Sequence, residues 1–425
     1  MFASFLDNDL YKFLMGQFVY YYYPELEVTY NLTNRDPTPL NVSVPEIIKE
    51  IKSIVSTPPK TEEINYLNDL KFSSFYTKSQ KPVFDMGYLD ALYNSFHNAE
   101  IQVDDHWVMM TDKHGRKITF SVFQGPTDIE VSITGVWWLS ILFEVPILAA
   151  ISERHTTKGL SNLKMDYITY DENKFVNDFC DLPDFAKYSL RFSDFGTRRR
   201  ASYQSHKRIL ENAMNRLYDY NLSGTSNVHL ARILGLTPIG TFAHELPMVI
   251  AGYREILNED ITGTYKELTD KWFAFYKGAY SILLPDTFGS KWLFDNYPEM
   301  VLLWDGVRHD SGDPFEFADM YINLCESHGV DPMSKVIVFS DSVSPQKMKE
   351  ILEYCRDRVW ATYGVGTNLT HNTPVKAPNI VIKASEVRTL MDGFRAGLVK
   401  LSDEPKKNTG NPDKVKMYKN LFDKM

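Results

Sequence analysis

Residues 192–245 read FSDFGTRRRASYQSHKRILENAMNRLYDYNLSGTSNVHLARILGLTPIGTFAHE. This stretch holds three polar clusters, each of which follows a short apolar segment: FGTRRR at 195–200, GTSN at 224–227, and a Gly-Thr turn followed by His244. The first two clusters lead into predicted helices. Such an order places polar groups at the carboxyl ends of successive strands, where α/β folds build their sites. The stretch therefore predicts an α/β fold with a site on these turns.

The arginine triplet Arg198, Arg199 and Arg200 indicates an anionic ligand. Guanidinium groups match phosphate and carboxylate oxygens bidentately and keep their charge. The three side chains cannot all point the same way, so the alternative is a solvated helix start with one structural ion pair. His244 carries little information by itself, because a single histidine is more often a structural group than a nucleophile.

Four further apolar segments are followed by polar clusters and extend the pattern as predicted strands: residues 281–284 before DTFG, 300–304 before DGVRHDSGD, 335–339 before SDS, and 359–363 before GVGTN. Helices are predicted at 201–220, 314–328 and 345–355. Repeated strand, turn and helix units predict a parallel sheet that closes into an irregular (β/α) barrel. On the first of these helices, His206 lies among polar residues, and we expect its side chain at the surface.

The N-terminal part of the chain has a different pattern. Residues 7–20 predict a helix that Asp7 or Asp9 could cap, residues 27–34 alternate like a strand, and residues 107–124 predict a hairpin. An α+β domain is therefore predicted over residues 1–130, completed by residues 385–425, with the barrel over residues 131–384. The apolar run 136–151 is interrupted by Glu144 and Pro146, and we expect a buried helix rather than a membrane span.

Composition excludes several classes of function. The 425-residue chain has 44% hydrophobic and 24% charged residues and a net charge of −9, which is typical of a soluble globular protein and argues against a nucleic-acid binder. The arginine cluster should therefore form a local pocket for a small ligand. Three scattered cysteines and an N-terminus without a basic segment predict a reduced, cytoplasmic protein without a signal peptide.

Two later clusters have the chemistry of a sugar-phosphate site. Arg308 and Asp310 lie in one turn, where the carboxylate could bind ribose hydroxyls or, through water, Mg²⁺, and the guanidinium could meet an anionic oxygen. Residues 340–342 and 364–367 follow the last two predicted strands, which is the usual phosphate position in (β/α) barrels. Backbone N–H groups freed by glycine, beside hydroxyls, can bind a phosphate there.

These motifs, in this order and spacing, resemble those of the nicotinate phosphoribosyltransferase family. The resemblance covers nearly the whole chain, and its colinear set is highly specific: LDNDLYK at 6–12, TYNLTNR at 29–35, FSDFGTRRR at 192–200, LSGTSN at 222–227, PIGTFAHE at 238–245, DTFG at 286–289, GVRHDSGDP at 306–314, SDS at 340–342, and GVGTN at 364–368. His309 departs from the family, which more often has glutamine at this position.

The resemblance implies a type II phosphoribosyltransferase fold and a reaction. Nicotinate, phosphoribosyl pyrophosphate (PRPP), ATP and water would give nicotinate mononucleotide, pyrophosphate, ADP and phosphate, as the first step of NAD salvage from nicotinate. ATP would phosphorylate His244, with Mg²⁺ as cofactor through unassigned ligands. A homodimer is implied, because the tyrosine that matches Tyr11 reaches the pyridine site of the neighbouring subunit.

The site residues follow from the same resemblance. Catalysis would use His244 and Asp310. The expected nicotinate contacts are Tyr11, Phe195, Arg198 and Ser226. The expected PRPP contacts are Arg198, Thr225, Arg308, Asp310, Ser342, Gly364, Gly366 and Thr367.

Two other functions stay open at this point. A nicotinamide or quinolinate phosphoribosyltransferase could share the fold, although GTSN and the arginine triplet favour nicotinate. A catalytically silent barrel that binds nucleotides and regulates a partner would lack some site residues, and every expected cluster is present. Lys383, Lys400 and Lys406 are either phosphate contacts or, as the simpler interpretation, ordinary surface charges.

Overall fold

The protein is described by a computed structural model that covers residues 2–73, 78–163 and 170–422. Its strands, in chain order, are β1 Leu26–Asn34, β2 Lys71–Ser73, β3 Lys78–Pro82, β4 Glu100–Val103, β5 Trp107–Thr111, β6 Lys117–Gln124, β7 Ile129–Val136, β8 Phe192–Asp194, β9 Leu222–Thr225, β10 Ile282–Leu283, β11 Gly306–His309, β12 Val336–Phe339, β13 Trp360–Val365, β14 Ile380–Thr389 and β15 Arg395–Gly397.

The helices are α1 Leu10–Tyr22, α2 Val44–Val55, α3 Thr61–Asp69, α4 Met86–His97, α5 Trp137–Ser140, α6 Glu144–Asn162, α7 Lys174–Cys180, α8 Asp184–Ser189, α9 Tyr203–Arg216, α10 Val228–Leu234, α11 Glu245–Ile256, α12 Thr264–Tyr276, α13 Ser290–Asn296, α14 Pro298–Leu302, α15 Pro314–Ser327, α16 Pro345–Cys355, α17 Thr367–Thr370 and α18 Pro412–Phe422. Among these helices of the described residues, none combines the length and apolar character that crossing a membrane requires.

A seven-stranded antiparallel sheet forms the first layer, in the order β15-β14-β1-β7-β6-β5-β4. The predicted strand at 27–34 and the predicted hairpin at 107–124 are both confirmed. The hairpin closes through Gly115, whose φ of +78° lies in the left-handed region that glycine enters without a Cβ clash. The C-terminal strands β14 and β15 complete this sheet, so the two ends of the chain build one layer.

The division into domains stays a proposal. Boundaries after residues 130 and 384 would fall inside β7 and β14, both of which belong to the antiparallel sheet. We propose that the units divide at the ends of these strands instead, near residues 136 and 379.

Six strands form the predicted parallel sheet, in the order β10-β11-β12-β13-β8-β9. Phe192 and Tyr363 face outward into the main core. Val336, Val338 and Ile282 instead form a separate apolar cluster, against which Phe195 packs. Because strands several places apart in the sheet meet in this second cluster, the sheet curves around an interior, as expected for an irregular barrel.

The prediction of a strand at residues 300–304 is wrong. Helix α14 covers most of that segment, and the strand begins only at Gly306. Val301 and Trp304 are buried while Leu303 is 69% exposed, which is helical spacing. A short apolar run fits both structures, and Pro298 at the first helical turn favours the helix.

Helix α1 packs against α5 and is anchored at its N-terminal end by buried polar contacts. Arg200 makes two 2.7 Å hydrogen bonds to the carboxylate of Asp7, and Asn227 donates a third bond to Asp7. Asp9 precedes the helix, but its side chain accepts from Ser226 at 2.8 Å rather than from the helix. Thus the triplet does contain one structural ion pair, formed by Arg200.

Removing the Arg200 side chain should destabilise the fold strongly. In Arg200→Leu the buried Asp7 loses its partner, and the expected loss in free energy of unfolding at neutral pH is about 3–5 kcal/mol. Burial alone would raise the pKa of Asp7, but Arg200 lowers it to about 2. The stabilisation is therefore present above the unfolded-state pKa and is lost as the pH falls towards 2. Urea unfolding at several pH values measures both effects.

The exposed pair Arg208–Glu172 provides the matched control. Arg208→Leu should change the free energy of unfolding by no more than about 1 kcal/mol, because exposed ion pairs contribute little. Equal losses in the two variants would contradict a special role for the Asp7–Arg200 pair.

Candidate active site

A cavity of about 1480 Å³ opens at the carboxyl ends of the parallel strands. It brings together most of the residues that the sequence predicted for the site: Tyr11, Phe195, Arg198, Ser226, His244, Arg308, Asp310, Ser342, Gly366 and Thr367. Most of these side chains lie on polar turns that follow strand ends, as predicted for the α/β pattern, whereas Tyr11 lies on α1 and His244 immediately precedes α11.

Two predicted PRPP contacts lie outside this lining. Thr225 is fully buried and donates its hydroxyl to Asp194 at 2.6 Å. Gly364 lies against the Phe195 ring, where a Cβ would come within 2.3 Å of ring carbons. Both residues therefore shape the loops around the site, and neither presents a group to the cavity.

His244 lies at the N-terminal end of α11, with its ring at the wall of the cavity. Its Nδ1 is 3.0 Å from the Thr287 hydroxyl, and its Nε2 is 3.1 Å from Asp310 Oδ2 and 3.0 Å from Lys400 Nζ. Asp310 is therefore the carboxylate beside the imidazole, which the sequence left unassigned. Glu245 is adjacent in sequence but points away, to the ammonium group of Lys12 at 2.6 Å.

The surroundings keep the His244 imidazole neutral. Burial and the neighbouring Lys400 ammonium lower the pKa of His244 to about 4. Burial alone would raise the pKa of Asp310, but Arg308 and His244 bring it well below its ordinary value. A neutral ring beside an ionised carboxylate and a cation is a competent nucleophile near pH 7.

Asp286 completes a cluster with His244 and Asp310, whose possible ligand atoms lie within 4.8 Å of one another. Asp286 Oδ2 accepts from Ser311 at 2.6 Å and lies 3.4 Å from Lys400 Nζ, while the buried Oδ1 has no hydrogen-bond partner among the described residues and lies 3.7 Å from His244 Nε2. An unsatisfied buried carboxylate oxygen favours a cation at this position. Mg²⁺ prefers such oxygen ligands and completes its shell with water and substrate phosphates.

The opposite side of the site combines aromatic rings with a cation. Tyr11 and Phe195 line the same cavity of a single chain, together with Arg198. Arg198 lies 3.7 Å from Glu144 and its side chain is 40% exposed, so it can still bind a ligand. Tyr11 lines the cavity of its own chain, and its expected contribution to the pyridine site of a neighbouring subunit stays a prediction.

Arg199 of the triplet and Lys383, whose role the sequence left open, also line the cavity. Burial and the neighbouring Arg198 and Arg35 lower the pKa of Arg199 to about 10. Burial, Lys400 and Arg35 lower the pKa of Lys383 to about 7. Cations that depress one another's pKa values in this way indicate a site that an anion would stabilise.

Of the three C-terminal lysines, two belong to the site. Lys400 is 3% exposed, and Lys383 lines the cavity, whereas Lys406 does not. The surface interpretation is therefore wrong for Lys400 and Lys383. The sequence did contain a signal for these positions, because each is a single lysine within an apolar run that is typical of a strand.

The surface prediction for His206 is also wrong. This side chain is fully buried, and its Nε2 lies 2.7 Å from Asp194 Oδ2. Asp194 also accepts from Thr225 and from the backbone N–H of Gly196, so the pair joins the first two polar turns. The buried face of α9 includes His206, Ile209, Leu210 and Ala213, and this helical periodicity could have predicted the burial of His206.

The turns at 340–342 and 366–367, which were predicted to hold a phosphate, line the cavity. Ser342 has a φ of +52°, a left-handed conformation that is uncommon outside glycine and concentrates at functional sites. His309, the departure from the family pattern, is buried outside this lining and is 3.2 Å from the Gly312 carbonyl. That departure therefore does not alter the site.

Comparison with known proteins agrees with this geometry. Residues 190–425 match the Nicotinate phosphoribosyltransferase (NAPRTase) family, and residues 6–152 match its N-terminal domain. The chain belongs to the nicotinate phosphoribosyltransferase family. It is therefore an enzyme of NAD salvage.

Relatives and solved structures extend over the whole chain. The nicotinate phosphoribosyltransferase of Chromohalobacter salexigens is 33% identical over 427 residues, covering 99% of this chain and 98% of the relative. That of Desulforapulum autotrophicum is 34% identical over 424 residues, covering 98% and 97%. A Porphyromonas gingivalis nicotinate phosphoribosyltransferase structure matches with a TM-score of 0.80 and 26% identity over 100% of both chains. A putative nicotinate phosphoribosyltransferase from Saccharomyces cerevisiae matches with a TM-score of 0.79 and 29% identity, covering 100% and 99%.

Proposed function

We propose that His244 takes the γ-phosphoryl group of ATP and that the phosphoenzyme is coupled to phosphoribosyl transfer from PRPP to nicotinate. The observation that carries this proposal is the neutral imidazole held between Thr287, Asp310 and Lys400 in the cavity that also holds Phe195 and Arg198. The unprotonated ring nitrogen attacks the γ-phosphorus, the bond to the bridging oxygen breaks, and ADP leaves. Lys400 offsets negative charge beside the nucleophile.

The nicotinate subsite follows from the aromatic side of the cavity. Phe195 and Tyr11 offer apolar ring surfaces, and Arg198 supplies the cation for the carboxylate. Ser226 lines the same region, although its hydroxyl donates to Asp9. Attack of the pyridine nitrogen on the anomeric carbon forms the C–N bond while the bond to pyrophosphate breaks, through an oxocarbenium-like state analogous to glycosyl transfer.

The PRPP subsite divides between neutral turns and cations. Ser342, Gly366 and Thr367 would hold the 5′-phosphate through hydroxyl and backbone N–H groups. Asp310 would contact the ribose hydroxyls. The leaving pyrophosphate would meet the cations that line the cavity, namely Arg35, Arg308, Lys383 and Lys400. Their role is to position the substrate and to stabilise developing charge.

Mg²⁺ fits the carboxylates beside His244. Asp286, with its unpartnered Oδ1, and Asp310 would hold the ion together with substrate phosphates. The ion would supply charge neutralisation at the phosphates when bound. Asp286 and Asp310 would also keep the imidazole oriented.

The assembly and compartment of the enzyme stay proposals. The resemblance implies a homodimer, and sedimentation velocity would measure it. The three free cysteines, Cys180, Cys325 and Cys355, are compatible with the proposed cytoplasmic location.

Substituting His244 tests the proposed coupling directly. His244→Ala should form no phosphoenzyme from γ-labelled ATP and should lose ATP hydrolysis, because the nucleophile is gone. A slow transfer from PRPP to nicotinate without ATP should persist, since the nicotinate and PRPP contacts remain. His97→Ala, at an exposed histidine, is the matched control and should label normally. An unchanged ATPase in His244→Ala would remove His244 from this role.

The kcat/KM for PRPP should depend on pH through the ionisation of Lys383. With a pKa of about 7 in the free enzyme, Lys383 loses its charge as the pH rises above that value. A diphosphate binds the charged form better, so kcat/KM for PRPP should fall in mildly alkaline solution. Lys383→Arg keeps its charge and should flatten this fall.

The matched control for this experiment is Lys376→Arg, at a cavity lysine that is 78% exposed and paired with Asp36. Its pH profile should follow that of the unmodified enzyme. Identical profiles for Lys383→Arg and the unmodified enzyme would place the titrating group elsewhere.

A further inference from the structure

The cavity continues below the proposed site, along the full length of the parallel strands. Val336, Val338 and Ser340 line it along β12 and the residue that follows, and Arg191, Ser193 and Phe195 line it along β8 and its two flanking residues. Residues two apart share one face of a strand, so these are the inward positions. Five residues of strand correspond to roughly 13 Å at about 3.3 Å per residue. The interior is therefore open from one end of the strands to the other.

Small and apolar inward side chains leave this interior open. In a typical (β/α) barrel, layers of bulky side chains fill the centre. Here Ser193 and Thr362 line the cavity together with the apolar side chains of Val338 and Ile282. We refer to the passage lined by these four residues as the bore.

The far end of the bore lies at the amino-terminal ends of the strands. Arg191, Ser223, Asp305 and Trp360 line the cavity there, and Trp360 is 61% exposed. The Arg191 guanidinium stacks on Tyr220 at 4.1 Å, which fixes a cation at this opening. The cavity thus reaches solvent at two ends with different chemistry.

Phe195 lies where the bore meets the proposed site. It packs against the apolar cluster of Ile282, Val336 and Val338, and it also lines the cavity beside Arg198. The proposed nicotinate subsite is therefore next to the bore. The cations and phosphate turns surround the other opening, which we call the mouth.

We propose that nicotinate enters through the bore, while PRPP and ATP enter through the mouth. This inference rests on the proposed function. A single aromatic ring with one carboxylate suits the bore, because Val338 and Ile282 offer apolar surface and Ser193 and Thr362 offer hydroxyls. Arg191 attracts the carboxylate at the far end. Phosphate groups are held at the mouth, where cations are concentrated. Nicotinate can therefore reach its subsite after both phosphorylated substrates have bound.

A cysteine at the far opening tests this route in the full-length enzyme. Ser223 is exposed there, and Ser223→Cys would be made with Cys180→Ser, since Cys325 and Cys355 are buried. The thiol is modified either with a methylthio group or with a bulky pyrene maleimide. Ser53→Cys, on the exposed side of α2 and outside the cavity lining, carries the same two labels as the matched control.

With PRPP and ATP saturating, the bulky adduct of the Ser223→Cys variant should lower kcat/KM for nicotinate by at least about tenfold relative to the methylthio adduct, because access becomes limiting. The kcat/KM for PRPP, measured with nicotinate and ATP saturating, and phosphoenzyme formation should be the same for both adducts. Equal nicotinate values for the two adducts, or equal losses in all three reactions, would overturn the separate route. Absence of nicotinate turnover before labelling would instead contradict the proposed function.

Discussion

A buried lysine ties helix α1 to the first residues of α6 and α11. Lys12 on α1 is fully buried, with its ammonium 2.5 Å from Glu144 and 2.6 Å from Glu245. Burial alone would lower the pKa of Lys12, but the two carboxylates raise it above its ordinary value. Glu245 also accepts from Tyr30 and Trp137 at 2.7 Å each, so one carboxylate joins β1, α5 and α1 to the start of α11. A buried charge without these partners would be strongly unfavourable, which fixes their relative positions.

This constraint also builds the site. Because Glu245 is fixed on the Lys12 side of α11, the preceding residue His244 is directed into the cavity towards Asp310 and Thr287. The neighbour of Lys12, Tyr11, lines the same cavity, and Glu144 approaches Arg198 at 3.7 Å. The proposed phosphoryl acceptor and the proposed pyridine subsite are thus held by one buried network. The proposed coupling between ATP hydrolysis and phosphoribosyl transfer would act through this shared support.

Sequence reasoning succeeded where local patterns decide the outcome. The parallel strands and the helices that begin at Pro314 and Pro345 follow from apolar segments and proline positions, and most of the site residues that the family resemblance implied line the cavity. It failed where the partner of a side chain comes from a distant segment. His206 is buried because Asp194 accepts its hydrogen bond. Lys400 belongs to the site because β14 and β15 bring the C-terminal segment to His244. The prediction also failed at residues 300–304, although no distant segment is involved there, because a short apolar run fits a strand as well as a helix.

The measurement that tests the central claim most directly is a product assay with PRPP and Mg²⁺ that offers nicotinate, nicotinamide or quinolinate in parallel, each with and without ATP. A site built from Arg198, two aromatic rings and a neutral His244 predicts nicotinate mononucleotide with concurrent release of ADP, and little product from the other pyridines. Turnover of nicotinamide or quinolinate alone would contradict the pyridine assignment. No turnover with any pyridine would contradict catalysis at this cavity and favour a silent nucleotide-binding barrel.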